Sequence, residues 1–240
     1  MSRLVALLLA VASYALAQGE PVPEPAAPPV DPATTQRVAD ERARTQHLPN
    51  GDIQVGKILL HRRERCISFP AEFMEQVSVL EVIIATPDGR LHESLLKADI
   101  SPLQLQALLY LLGLNNGPRL DTETLRQGDL VDLDIEWTDA KGVRQREPIE
   151  SWIIDGRTKA PLKREGWVFV GSGMRNGEFL ADSEGNICIN YSVGATILDI
   201  PDPAGADDTI FTVNQDKPRP PETADVRVLI TSRAKVKAKE

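Results

Sequence analysis

Short runs in which apolar and polar residues alternate recur along most of the chain, with turn-forming residues between them. Alternation with a period of two is typical of strands that bury one face, so the pattern predicts a β-rich domain. In the last run, Val226, Val228 and Ile230 share one phase. The predicted strands are Ile53–Leu60, Arg65–Phe69, Val77–Thr86, Arg90–Leu96, Leu130–Trp137, Val143–Ile154, Gly166–Gly171, Glu178–Ala181, Ile187–Tyr191, Ala195–Ile200, Thr209–Val213 and Val226–Thr231.

One segment has helical spacing instead. Ser101 is a favourable N-cap, and Pro102 suits the first helical position. Gly113 suits the left-handed position that follows a helix. The leucines between them recur at helical spacing, which predicts one main helix over residues 102–112, packed on a sheet. The predicted fold class is therefore α+β and β-rich, with mainly antiparallel strands and hairpins in one domain.

The N-terminal end follows neither pattern and predicts export. Arg3 precedes the apolar run Leu4–Val11, and small residues stand at Ala15 and Ala17, as in a secretory signal peptide. The run is too short to span a bilayer. We therefore expect residues 1–17 to be removed and the remainder to be exported, to the periplasm or outside the cell, without a membrane span.

A proline-rich stretch follows the predicted signal peptide. Six of the seventeen residues from Gln18 to Thr34 are proline, a composition that favours polyproline II and cannot bury a core. We interpret it as a semi-rigid spacer that ends in a frayed, charged segment. The predicted organisation is a signal peptide at 1–17, the spacer at 18–50, the β-rich domain at 51–232 and a basic C-terminal tail at 233–240.

The charge balance limits the partners. The chain has 35 acidic and 27 basic residues, which gives a formal net charge of −8. Phosphate backbones and anionic membranes repel such a chain, so we do not expect it to bind nucleic acid. No cofactor-binding motif is recognisable, and we predict no cofactor. A cell-envelope protein or polymer is the partner that export and a spacer favour.

The strongest turn signal is the segment Thr86–Arg90, which reads Thr-Pro-Asp-Gly-Arg. Pro suits the first turn residue and Gly the left-handed position, so the segment predicts a three-residue hairpin loop. The antiparallel register that follows places Val82 opposite Ser94 and Ile83 opposite Glu93.

This predicted hairpin carries the candidate chemistry. Glu81 and Glu93 become diagonal neighbours on one face, and His92 and Ser94 lie on the other. Paired carboxylates are used by acid–base sites and by hard-metal sites, so these four residues are the candidate catalytic residues. The structural alternative is that each carboxylate lies on a solvent-facing side near an Arg or Lys, and that His92 is a core histidine.

Other constellations are weaker. Cys66 and Cys188 are the only cysteines, and each lies in a predicted strand. They form a disulfide in an oxidising compartment or remain buried free thiols, and the sequence leaves both open. The three histidines lack metal-site spacing, and we predict no metal site. The glycine-rich segment Gly171–Gly177 matches no dinucleotide-binding pattern and predicts a hairpin turn.

Segments spread over the predicted domain carry a family resemblance, and the triplet His92-Glu93-Ser94 is the most recognisable of them. From about residue 55 to residue 231 the chain resembles the YdjY family, a domain of unknown function found in exported bacterial proteins. The matching segments are Phe69-Pro70-Ala71, Leu80-Glu81-Val82, Gly89-Arg90-Leu91-His92-Glu93-Ser94-Leu95-Leu96, Ala107-Leu108-Leu109, Leu112-Gly113-Leu114, Trp167-Val168-Phe169, Gly171-Ser172, Ala181-Asp182 and Glu184-Gly185.

The resemblance implies no activity. Members of the family often carry a histidine in the helix near Gln106, and the glutamine here weakens any metal site shared with His92. Some relatives are associated with ferredoxin-like cysteine clusters, which this chain lacks. The sequence thus favours an exported, non-catalytic cell-envelope binding or assembly module. The alternative is an enzyme or metal-dependent domain centred on Glu81, His92 and Glu93.

Overall fold

The structure is a computed structural model that describes residues 45–77, 79–117 and 128–233. The predicted signal peptide, most of the spacer and nearly all of the basic tail lie outside the described residues. The described part is rich in strands, mainly antiparallel, with one main helix. The predicted β-rich α+β class is confirmed.

The elements are numbered in chain order. The strands of the described residues are β1 Thr45–His47, β2 Ile53–Val55, β3 Ile58–His61, β4 Cys66–Pro70, β5 Glu72–Phe73, β6 Val82–Ala85, β7 Ser94–Lys97, β8 Leu130–Thr138, β9 Arg144–Pro148, β10 Ile153–Asp155, β11 Ala160–Pro161, β12 Trp167–Phe169, β13 Met174–Arg175, β14 Glu178–Phe179, β15 Asn186–Ile189, β16 Leu198–Asp199, β17 Phe211–Val213 and β18 Arg227–Ser232. The α-helices are α1 Pro102–Leu111 and α2 Leu180–Glu184, and the 3-10 helices are Leu91–Glu93, Ile149–Trp152 and Pro203–Ala206.

Thirteen of the described strands form one sheet. Its order is β1-β2-β3-β4-β18-β8-β12-β16-β15-β6-β7-β5, and β9 pairs with β8 beside this path. The pairs are antiparallel except β15 with β16 and β6 with β7. Two smaller sheets have the orders β11-β10-β17 and β13-β14.

The middle of the sheet is covered on both faces. In β18, which lies between β4 and β8, Val228 and Ile230 are buried as their shared phase predicts. Leu229, in the opposite phase, is also buried. Strand β4 likewise buries four consecutive residues, Cys66 to Phe69. Such strands have near-continuous apolar runs because neither face meets water.

Helix α1 confirms the predicted main helix. Its N-cap, Ser101, accepts a hydrogen bond from the backbone N–H of Gln104 at 3.3 Å. At the other end Gly113 has a φ of 81°, and the N–H of Leu114 donates to the carbonyl of Leu109 at 3.2 Å. This is the Schellman arrangement, in which a glycine without a Cβ takes the left-handed position at little cost.

Some elements differ from the prediction. The predicted strand Val143–Ile154 is interrupted by the 3-10 helix Ile149–Trp152. Between the predicted strands Glu178–Ala181 and Ile187–Tyr191, Leu180–Glu184 is a short helix, and Gly185 caps it with a φ of 70°. The sequence predicts that the domain begins at residue 51. Strand β1 lies before that residue and pairs with β2.

Candidate functional site

The predicted hairpin at residues 86–90 is wrong in its direction. The turn forms, since the N–H of Gly89 donates to the carbonyl of Thr86 at 3.0 Å. The 3-10 helix Leu91–Glu93 then redirects the chain, so β7 runs parallel to β6. Val82 still pairs with Ser94, as the antiparallel register also required, but the neighbouring pairs differ.

The two predicted carboxylates do meet, with an arginine between them. Arg90 Nη1 donates to Glu81 Oε2 at 2.5 Å and to Glu93 Oε2 at 3.0 Å. The other oxygen of Glu93 lies 3.3 Å from Nε2 of His92, whose side chain is 72% exposed. Glu81, His92 and Glu93 therefore form one cluster, and Arg90 supplies its positive charge.

This cluster is arranged as an ion-pair network. The Arg90 guanidinium occupies the position between the carboxylates that a hard metal ion needs, and two like charges repel. Ser94 is fully buried, and its hydroxyl donates to the Arg90 carbonyl at 2.7 Å. It fixes the backbone that carries Arg90, whereas His92 is exposed and is not a core histidine.

The two cysteines are free thiols in the structure, one of the two states that the sequence leaves open. Both are buried, and four strands separate β4, which carries Cys66, from β15, which carries Cys188. Burial raises the pKa of Cys66 and raises the pKa of Cys188 well above its ordinary value. A raised pKa keeps a thiol protonated and unreactive, which weighs against a redox role.

The glycine-rich segment links α1 to the neighbouring loop. The buried side chain of Gln106 donates to the carbonyl of Ser172 at 3.2 Å and accepts from its N–H at 2.7 Å. The hydroxyl of Ser172 accepts from the N–H of Ala181. The hairpin predicted here joins β13 to β14 through Asn176 and Gly177, which both have positive φ. Gln106 thus has a structural role, since its side chain connects α1 to the backbone of Ser172.

Asp52, His61 and Glu64 form a cluster that sequence reasoning missed. One ligand atom from each lies within 4.8 Å of the others. Asp52 accepts from the N–H of Arg62 at 3.1 Å and from Asn50 at 2.8 Å. The ring of His61 lies 3.0 Å from the Ser68 hydroxyl and 3.4 Å from Asp52. Other protein groups already contact most of the atoms that could bind a metal ion. We therefore interpret the cluster as a structural feature of the local fold.

The most unusual polar group in the described residues is the carboxyl of Glu150. It lies in the 3-10 helix Ile149–Trp152, which joins β9 to β10, and only 2% of the residue is exposed. Its Oε1 accepts a hydrogen bond from Nε1 of Trp167 in β12 at 3.0 Å. Its Oε2 has no hydrogen-bond partner among the described residues. A buried polar atom without a partner costs free energy and calls for an explanation.

Burial raises the pKa of Glu150, because the charged carboxylate loses its hydration. A hydrogen bond from the backbone N–H of Glu150 itself, the charge of Arg164 and the hydrogen bond from Trp167 act in the opposite direction and lower the pKa, and Asp132 adds to the rise. Arg164 donates to Asp134 at 2.6 Å and lies 3.3 Å from Asp132, so carboxylates of the neighbouring strand already engage it. Glu150 is therefore left without a dedicated counter-ion in the described part of the chain.

Glu150 borders a cleft with a volume of about 380 Å³. Apolar side chains form part of the wall, among them Leu162, Ile200 and Pro201. A volume of this size is within the range of small-molecule pockets, which are mostly apolar with a few placed polar groups. The charged side chains that line the cleft are Glu150, Asp155, Arg157, Lys163, Glu165 and Asp202.

The guanidinium in the cleft is already neutralised. Arg157 donates to Asp155 from Nε at 2.9 Å and from Nη2 at 2.7 Å. It also donates to both oxygens of Asp202. These hydrogen bonds lower the pKa of Asp155 to about 2 and also lower the pKa of Asp202. Arg157 therefore organises the wall and has little charge to offer an anionic ligand.

Sequence reasoning missed Glu150 because it lies inside a segment predicted as one strand. The signal was present, since Glu150 is the only charged residue in the apolar run from Ile149 to Ile154. An acidic residue in such a run is rarely fully buried without a partner. The partner group, Trp167, comes from a different strand and could not be assigned from spacing.

The fold and the cleft define a β-rich α+β domain with a partly unpaired polar site. The YdjY domain model matches residues 61–231, and the chain therefore belongs to the YdjY domain family, as the resemblance implies. No curated protein and no solved structure matches the chain. Among the described residues, no helix is long and apolar enough to cross a membrane.

Proposed function

We propose that the chain is an exported, non-catalytic binding module of the cell envelope and that its ligand site is the Glu150 cleft. One observation supports the proposal: Glu150, which is 2% exposed, lines a cleft of about 380 Å³, and one of its carboxyl oxygens has no hydrogen-bond partner among the described residues. A ligand that pairs with this oxygen would remove the cost of leaving it unpaired.

The chemistry of the lining favours binding over catalysis. Among the described residues that form it there is no Ser, Cys or His side chain to act as nucleophile or as a base near neutral pH. The hydroxyl of Thr158 donates to the carbonyl of Asp155, and Asp155 is held by Arg157. Thr158, Asp155 and Arg157 thus hold one another in position through these hydrogen bonds.

A ligand-observed NMR screen with cationic, neutral and anionic small molecules tests this site. We expect compounds that bind the full chain to lose binding in Glu150→Gln, which keeps the size and removes the charge. Glu165→Gln is the matched control, because Glu165 also lines the cleft but is exposed. Binding that is unchanged in Glu150→Gln, or no binding by any class, contradicts the proposal.

Export rests on the sequence pattern at the N-terminus. The predicted signal peptide at 1–17 and the proline-rich spacer would display the domain away from an anchoring point, where it meets a cell-envelope protein or polymer. Cell fractionation followed by N-terminal sequencing tests this part. We expect the exported chain to begin at Gln18, and an intact chain retained in the cytoplasm contradicts it.

A second candidate function is catalysis or metal binding at Glu81, His92 and Glu93. It is favoured by the meeting of two carboxylates and an exposed imidazole at one cluster. Metal analysis of protein purified without chelator tests it, with Glu93→Gln and His92→Ala for comparison. This function predicts bound metal that both variants lose, and equal background levels in all three proteins contradict it.

A further inference from the structure

The unpaired oxygen of Glu150 limits what the cleft can bind. Trp167 donates to one carboxyl oxygen, and the other, which is itself buried, has no hydrogen-bond partner among the described residues, while Glu150 lines the cleft. An ionised carboxylate accepts hydrogen bonds only, so an ionised Glu150 needs a donor from its ligand. A ligand that brings a positive charge with its N–H donors would also supply the missing counter-ion.

The net charge of the residues that line the cleft also favours a positively charged ligand. Four acidic and two basic side chains surround the cleft. Asp155 and Asp202 form ion pairs with the guanidinium of Arg157, and the other charged residues of the lining are Glu150, Glu165 and Lys163. Anionic ligands would meet a net negative lining, whereas cationic ligands would be attracted.

The apolar part of the wall suits a short hydrocarbon portion. Leu162, Ile200 and Pro201 border the same space as Glu150. Contact with these side chains would remove apolar ligand surface from water while the charged end meets the carboxylate. The occupant that satisfies both parts is a small alkylammonium compound.

We propose, on the basis of the proposed function, that the Glu150 cleft binds a small organic cation, with the ammonium group on Glu150 Oε2 and the alkyl part on the apolar wall. An ammonium N–H donates to Oε2, and the Trp167 N–H continues to donate to Oε1. The proposal names a class of ligand, primary alkylamines in their protonated form.

Isothermal titration of the full chain with three probes of matched length tests the proposal: n-butylammonium, n-butanol and butyrate. Concentrations up to about 10 mM cover the millimolar affinities typical of ligands this small. We expect n-butylammonium to bind, and the alcohol and the carboxylate to bind at least about tenfold more weakly, a difference of one affinity decade. This comparison uses the unmodified chain and needs no variant to fold.

The variants then locate the site. We expect Glu150→Gln to weaken n-butylammonium binding at least about tenfold and the control Glu222→Gln to change it less than about threefold, because Glu222 is exposed and does not line the cleft. Thermal unfolding of each variant verifies that it is folded.

The failures of the two proposals are distinguishable. Butanol or butyrate binding as tightly as n-butylammonium, with loss in Glu150→Gln, overturns the cation inference and leaves the cleft as a binding site. Equal n-butylammonium binding by Glu150→Gln and the unmodified chain places the cation elsewhere and overturns the inference. Binding by none of the three probes also overturns it, and the wider NMR screen then decides the proposed function separately.

Discussion

Two carboxylate sites in this domain differ in where their counter-charge comes from. At the Glu81–Glu93 cluster the chain supplies its own cation, because Arg90 donates to both carboxylates. At the cleft, Glu150 is more deeply buried, and among the described residues its carboxyl receives neutral N–H donors, from Trp167 and from its own backbone. The cluster is the more conspicuous in the sequence, but the cleft is the site with an unsatisfied group.

This difference indicates which of the two sites is better suited to bind a ligand. A group that already has its partner gains little from a ligand, since binding must first break the existing contact. A buried group without a partner gains the whole interaction when one arrives. Charged residues that are easily recognised in the sequence, such as Glu81 and His92, therefore indicate a ligand site less well than one buried oxygen without a hydrogen-bond partner.

The largest expected effect is the loss of the side-chain hydrogen bond that Glu150 accepts from Trp167. Trp167→Phe removes the N–H and opens a small void beside a fully buried residue, so we expect a loss of about 2–4 kcal/mol in the free energy of unfolding. Urea denaturation measures it. Trp137→Phe is the control, because Trp137 is partly buried and does not hydrogen-bond to Glu150. Equal losses in both variants would contradict the role of this hydrogen bond.

The cluster is expected to respond more moderately. Arg90→Met leaves Glu81 and Glu93 as neighbouring like charges, and we expect a loss of about 1–2 kcal/mol, limited by the partial exposure of Arg90. Lys57→Met is the control, since Lys57 forms an ion pair with Asp99 in which both side chains are more than half exposed. We expect it to cost less than about 0.5 kcal/mol. If the two variants cost the same, Arg90 does not hold the cluster together.

Two carboxyls of the cleft, those of Glu150 and Asp155, also predict opposite responses to pH. The folded state raises the pKa of Glu150, so it favours the protonated form. Stability from this group is complete below the unfolded pKa and is lost as the pH rises through the folded pKa. Asp155, with its pKa lowered to about 2, behaves in the opposite way and loses stability as the pH falls through that value.

Glu150→Gln isolates the first of these responses. Arg164, Asp132 and Cys188 are the charged or titratable groups that act on Glu150, and they remain in the variant. We expect the variant to lose less stability than the unmodified chain between about pH 4 and pH 7, where an unperturbed Glu would ionise. Denaturation curves across this range measure it, and parallel pH profiles would contradict an uncompensated Glu150.

The smallest effect is expected at the most recognisable motif residue. His92 is 72% exposed and contacts Glu93 at 3.3 Å. His92→Ala should therefore change the unfolding free energy by less than about 0.5 kcal/mol and leave ligand binding at the cleft unchanged. Loss of ligand binding in this variant would reverse the comparison and make the cluster the functional site.

Local signals explain which parts of the fold the sequence could predict. Helix α1 was predictable because its cap, its leucine spacing and Gly113 are all local. The turn after Thr86 was also predictable, but the strand direction was not. A turn signal fixes a few residues, whereas the direction of β7 depends on the 3-10 helix Leu91–Glu93 that follows.

The candidate site shows the same limit. The meeting of Glu81 with Glu93 could be predicted because both lie close to the same turn: Glu81 directly precedes β6, and Glu93 ends the 3-10 helix that directly precedes β7. The cleft could not, because Glu150, Trp167 and Asp202 come from separate parts of the chain and meet only through the sheet order. The spacing of residues along the sequence does not indicate such contacts between distant segments. The burial of Glu150 depends on these contacts.

A direct titration of Glu150 tests the central claim, that this carboxyl is buried without a counter-ion and is completed by a ligand. The side-chain carboxyl signal can be followed by ¹³C NMR and assigned by its absence in Glu150→Gln. We expect the pKa of Glu150 to lie above the ordinary glutamate value in the free protein and to fall when n-butylammonium is saturating. A carboxyl that titrates at or below the ordinary value, with no response to the amine, would contradict it.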